Sequence, residues 1–281
     1  MAFAALLSLQ AALAFGQTLE ASVYDALRAK RPDLEWRLDR AQNVLYANGA
    51  AINLGNVKKE ISSRGLQGEQ AVGFAVATIA PNLDLMLAPG TGEPSWTEVK
   101  EHVLPAVAPV EYIGKTVCRP FSRLTATCIV IDSPTARSYV MKPQFEKWGI
   151  SNDELEQAAM ANMARIAKVG KIGFAVGDGK IGYAVINTGD SYDATRILLP
   201  TIQAAISKAL GGTAFAAIPN RAFLIAWPSG SAVHAQIVDQ VGRDFRTKSH
   251  ALTDEIFVID QRGVRLATDA EKQTGTIQDS R

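Results

Sequence analysis

The sequence predicts an α+β fold: antiparallel sheets built from repeated hairpin-plus-helix units, with helices packed on the sheet faces. Two observations carry this. Apolar, β-branched runs come in pairs around tight turn signals, which makes neighbouring strands antiparallel. The first runs of the pairs begin at Cys128, Ile172, Thr213 and Ile256, separated by 44, 41 and 43 residues, and helical patterns follow the first three pairs. The spacing fits either gene duplication or the natural length of such a unit, and the second explanation is preferred.

Taken in order, the chain opens with an almost wholly apolar stretch over residues 2–15, shorter than a membrane-spanning helix requires. Ala14 and Gly16 stand where a signal peptidase reads small residues, so 1–16 is expected to be a signal peptide, although no Lys or Arg precedes the apolar run. A buried helix is the alternative. The mature protein is then exported, periplasmic or extracellular; without a leader it is cytoplasmic. No transmembrane segment is expected in the mature chain.

An N-terminal α+β lobe is expected over 17–88. Leu19, Val23 and Leu27 recur at helical spacing, and Pro32 ends that helix. Strands are expected at 34–38 and 44–46, with Asn48-Gly49 as a turn, and a helix at 56–63. Residues 68–87 read as a buried helix, bent or broken at Pro81. The Pro- and Gly-rich stretch 89–96 is the linker.

The C-terminal lobe is expected over 97–268. Its hairpins pair 128–132 with 138–141, 172–176 with 181–186, 213–218 with 222–227, and 256–260 with 264–267. Ser151 and Glu154 form a capping box for a helix striped by Leu155, Ala158, Ala159, Asn162, Met163 and Ile166. Asn162 within that stripe is expected to bond a backbone group. Pro200 either kinks the next helix or marks its start, and Gly211-Gly212 ends it. Val233, Ile237, Val238, Val241 and Phe245 stripe the last long helix. The tail 269–281 is expected to be disordered.

Three stretches resemble the YtpQ-like bacterial family, a domain family of unknown function. They are residues 145–163, with Trp148-Gly149 and the capping box; the run Gly189-Asp190-Ser191-Tyr192-Asp193-Ala194-Thr195-Arg196-Ile197-Leu198; and residues 216–226. Weaker likeness extends from Leu19 through Leu104-Pro105 to about Val258. The resemblance implies a protein without established activity and assigns no catalytic residue. Pro200 interrupts the helix after the Tyr-Asp-Ala-Thr-Arg stretch, and a leader is unexpected in a family taken to be mainly cytoplasmic.

The chemical candidates are few. Lys and Arg are scattered and the formal net charge is +1, so no basic stripe for nucleic acid is present. His102, His234 and His250 lie far apart, and no HExxH, Gly-x-Ser-x-Gly or Walker pattern occurs. The glycines from Gly173 to Gly182 read as strand, turn, strand and not as a phosphate cradle. No cofactor and no metal is expected. Cys118 and Cys128 either crosslink across a short strand pair, if the protein is exported, or remain separate thiols.

The best polar constellation is Asp190, Tyr192, Asp193 and Arg196, with Asn220 and Arg221 on the following hairpin tip. One reading is local: Asp190 caps a helix and Arg196 pairs with Asp193 at i,i+3. The other is functional: Tyr192 and Arg196 project into a groove and bind a partner's carboxylate or backbone. Trp36, Trp96, Trp148 and Trp227 read as core or lobe-interface anchors and not as a binding platform. The function expected is a non-enzymatic binding or assembly module with a protein or peptide partner. The alternative is a hydrolase or other enzyme using carboxylates such as Asp190 and Asp193.

Overall fold

The computed structural model describes residues 18–40, 43–48, 50–87, 94–114, 116–132, 137–167, 171–177 and 180–278. The expected leader and most of the linker lie outside these residues. The chain divides into two compact units, Met1–Gly92 and Glu93–Arg281. It is an α+β protein with antiparallel sheets and helices on their faces.

In the first unit, Thr18 caps α1 (Leu19–Lys30) by accepting the Ala21 N–H at 3.4 Å. A three-stranded meander follows: β1 (Trp36–Asp39), β2 (Val44–Ala47) and β3 (Ala50–Asn53). Strand β3 was not expected, because its alanines carry no β signal. Next come α2 (Leu54–Ser63) and α3 (Gly68–Leu87), which continues through Pro81. Val23 and Leu27 of α1 pack with Leu45, Ala75, Ile79 and Leu83 to form this unit's core.

The second unit begins with α4 (Trp96–Val99), where Ser95 donates both its N–H and its hydroxyl to Glu98. A four-stranded sheet follows. In it β4 (Val103–Pro109) pairs along one side of β6 (Thr125–Asp132), while β5 (Cys118–Pro120) and β7 (Arg137–Tyr139) share the other side. Helix α5 (Lys142–Trp148) leads to α6 (Asn152–Ile166), which lays Leu155 and Ala159 on Val103 and Ile129. Asn162 anchors α6 by donating to the carbonyls of Lys100 (2.8 Å) and Val103 (2.9 Å).

Strand β4 was not expected, because Pro105 and Pro109 argue against a strand. Its geometry resolves the conflict. The Val107 N–H points away from β6 and donates to the Thr195 hydroxyl at 3.1 Å. N–H directions alternate along a strand, so both prolines occupy outward positions where no ladder bond is lost.

The remaining strands form a six-stranded sheet in the order β13-β12-β10-β11-β9-β8. They are β8 (Gly173–Gly177), β9 (Lys180–Ile186), β10 (Ala214–Ala217), β11 (Leu224–Pro228), β12 (Ile256–Asp260) and β13 (Gly263–Leu266). The four hairpins therefore do not build one sheet: β6–β7 belongs to the four-stranded sheet and the other three to this one. Helix α7 (Pro200–Leu210) places Ile202 and Ile206 among Ala214, Ala216, Phe257 and Ile259 on one face. Helix α8 (His234–Thr247) places Ile237 and Val241 among Phe215, Trp227 and Val258 on the other. Period-2 alternation thus feeds two different cores from the same strands.

The tail is a correction. Residues Asp269–Thr274 form α9, opened by a capping box in which Thr268 and Glu271 bond reciprocally. The polar composition suggested disorder, but the polar groups have specific partners. Glu271 is 1% exposed and accepts from both terminal nitrogens of Arg265, at 2.9 and 2.7 Å. The Gly230 N–H donates to Gly275 O at 2.7 Å, and the Ile277 N–H to the Ser229 hydroxyl at 2.9 Å. His234 completes the dock: its Nδ1 accepts from Trp227 Nε1–H at 3.0 Å, so Nε2–H donates to Lys272 O at 2.7 Å.

Two predictions follow from this dock. The Arg265 hydrogen bonds, working against burial, hold the Glu271 carboxyl at about 2, below its ordinary 4.5. A depressed carboxylate stabilises the fold above its unfolded value, and that contribution is lost as pH falls from about 4.5 through about 2. Urea unfolding at stepped pH should show wild type losing its advantage over Glu271→Gln across that interval. Gly275, at φ +66°, has His234 2.9 Å from where a Cβ would stand. Gly275→Ala should therefore cost about 1 kcal/mol or more in the same assay.

Candidate functional site

The constellation expected at residues 190–196 forms as a largely buried network, with Asp190 at its exposed rim, its side chain 39% exposed. After β9 the chain passes Gly189 (φ 81°) and Ser191 (φ 63°) and enters a 3-10 helix, Ala194–Leu198. Pro200 then stands at the first position of α7, so it marks a helix start and not a kink. Asp190 caps no α-helix. Arg196 Nη1 donates to Asp190 Oδ1 at 2.9 Å and to Asp193 Oδ1 at 3.0 Å, and Nη2 donates to Asp190 Oδ2. Asp193 accepts the Thr188 N–H on both oxygens at 3.0 Å and the Thr188 hydroxyl at 2.8 Å.

Exposure decides between the two readings of this cluster. Tyr192 and Arg196 are 2% exposed and Asp193 0%, so they form no recognition edge. Burial would disfavour charge on both Asp190 and Arg196. Their mutual hydrogen bonds outweigh it, lowering the Asp190 pKa and raising that of Arg196. The Arg137 guanidinium lies 3.7 Å over the Tyr192 ring, and burial pushes the Tyr192 hydroxyl pKa upward.

The hairpin tip does come to this cluster, as part of the scaffold. Arg221 O accepts the Ala194 N–H at 3.2 Å, and the Arg221 N–H donates to His250 O at 3.1 Å. Asn220 Oδ1 accepts the Ala222 N–H at 3.0 Å, a local turn bond.

Cys118 and Cys128 stand directly opposite on β5 and β6 and are joined by a disulfide, with Cα atoms 4.0 Å apart. The Ile129 N–H donates to Val117 O beside them, so they form a non-hydrogen-bonded pair, the closer kind in an antiparallel ladder. Among the described residues, no group of three or more His, Cys, Asp or Glu side chains is placed to hold a metal ion.

A different place has the character of a ligand site. A cavity of about 240 Å³ lies between α6 and strands β4, β5 and β6. Pro105, Val117, Ile129, Leu155 and Met160 give it apolar walls. Thr127 also lines it, two residues before Ile129 and so on the same strand face. Thr127 is 5% exposed and its hydroxyl has no hydrogen-bond partner among the described residues. At the polar side stand Asn152, Arg119 and Glu156, with Arg119 Nε 3.3 Å from Glu156 Oε1.

None of these residues was named as a ligand site by sequence reasoning: Leu155 was read as core, Pro105 as part of the weaker family likeness, and Cys118, which also lines the cavity, as half of a disulfide. Nothing in the sequence connects Arg119 to Glu156. The one available signal was Thr127 on the helix-facing side of a β-branched run. Comparison with protein-family models, with curated proteins and with solved structures finds no match.

Arg196→Ala should destabilise the protein by roughly 3 kcal/mol, because it leaves the buried Asp193 carboxylate without its cation. Chemical denaturation of the purified variant measures this, and a change within about 0.5 kcal/mol would contradict the burial described.

Proposed function

We propose that this protein is a non-enzymatic binding module and that the cavity between α6 and strands β4–β6 is its ligand site. One observation carries the reading. Arg119 and Glu156, both about half exposed, stand at the polar side of an apolar-walled recess, where a ligand's polar groups can reach them. The surroundings agree with it: apolar walls and a few convergent polar groups are the usual make-up of small-molecule sites. The volume suits a group smaller than a typical drug.

The enzyme reading loses its named residues. Asp190 and Asp193 are both engaged by Arg196, and a carboxylate locked to a buried guanidinium is a poor general base. The disulfide is at home in an oxidising compartment and supports the reading of an exported protein.

The test is a screen of small amphipathic fragments by methyl NMR on the intact protein. Shifts confined to Thr127, Ile129, Leu155 and Met160 are expected, and Arg119→Met should weaken the fragments that carry an acidic group. If no fragment moves these resonances at millimolar concentration, the cavity is not a binding site.

A further inference from the structure

Resting on that reading of the cavity, we infer that its ligand is a free α-amino acid with an apolar side chain. The argument starts from the arrangement of charge. The walls are mainly apolar, and among the described residues the charged groups lining the cavity are Arg119 and Glu156. A single-sign ligand would gain from one of them and be repelled by the other. A zwitterion matches both.

The two groups are free enough to serve. Their side chains are 56% and 46% exposed, and they meet through Arg119 Nε alone, at 3.3 Å. That contact leaves the terminal nitrogens of the guanidinium, the pair that grips a carboxylate side by side. An exposed ion pair contributes little to stability, so opening it costs little.

The carboxylate has a second source of support. Asn152 is the first residue of α6, a helix of 15 residues, and it lines the cavity. Ser151 takes up the Glu154 N–H, but the Asn152 and Asp153 N–H groups have no partner within the helix. A carboxylate between Arg119 and these N–H groups gains from both. Glu156 then receives the ammonium. The side chain enters among Pro105, Val117, Ile129, Leu155 and Met160. The mouth thus selects the amino-acid backbone, and the volume limits the side chain.

Calorimetric titration of the full chain tests this with L-leucine and L-methionine. The companions are 4-methylpentanoate, which lacks the ammonium, and 3-methylbutylamine, which lacks the carboxylate. Each companion should bind wild type about tenfold more weakly than L-leucine, since each loses one charge-assisted contact. Arg119→Met should weaken L-leucine about tenfold and erase its advantage over the amine. Glu156→Gln should erase its advantage over the acid. Both side chains are exposed, so both variants should keep the wild-type melting temperature. If the acid or the amine binds as well as L-leucine, the amino-acid assignment is overturned while the cavity remains a binding site. If none of the four binds although other fragments shift the Thr127 and Leu155 methyls, the outcome is the same. If nothing binds and no fragment shifts those methyls, both readings fall.

Discussion

The buried guanidinium of Arg196 is the constraint around which the second unit is organised. A charge removed from water survives only where opposite charge and acceptors surround it, and Asp190 and Asp193 supply both. That requirement fixes the conformation of residues 188–196. The consequences spread from there. Thr195, next to Arg196, gives its hydroxyl to the outer edge of β4, joining the 3-10 helix to the four-stranded sheet. Ala194 reaches the β10–β11 connection through Arg221, in the six-stranded sheet. One short segment, locked by one ion cluster, touches both sheets.

How much of this was legible in the sequence depends on the range of the interactions. The β8–β9, β10–β11 and β12–β13 hairpins were legible because a tight turn and its flanking strands are neighbours in the chain. Ser151 was legible as a helix start for the same reason, whereas at Pro200 the sequence left a kink and a start both open. Strand β4 was not legible, because its prolines make sense only once its outer edge is known. Strand β5 was legible only as one of two alternatives, the one in which Cys118 faces Cys128 across a short strand pair. The tail shows the same limit: Glu271 looks like a solvated charge until Arg265 is brought beside it.

The cluster at residues 190–196 illustrates a different limit. An Asp and an Arg three residues apart pair equally well on a wet helix face or in a core. Local spacing therefore establishes the ion pair and leaves its exposure open. The cavity was wholly illegible, because it is a gap between α6 and a sheet of earlier strands, β4 to β6, whose distance from the helix no local pattern encodes. Helix α6 is pinned by Asn162 to the segment ahead of β4, and the Trp96 indole N–H holds Glu154 at 2.9 Å near its start. A helix tied down at both ends cannot settle freely onto every strand beneath it. A void under one of its faces is a natural result.

The crosslink between β5 and β6 has a consequence in time as well as in space. Strand β5 is three residues long and is hydrogen-bonded along only one side. So short a strand holds its place weakly by its own ladder, and closing a loop of this length in the unfolded chain contributes about 3 kcal/mol. Arg119 is the residue directly after Cys118. Its station at the cavity mouth is therefore set by an oxidation event rather than by translation. A newly made, still reduced chain can hold most of its fold while this wall of the cavity is unfinished. Under the binding role proposed above, maturation and competence to bind become one step, completed when the two sulfurs join.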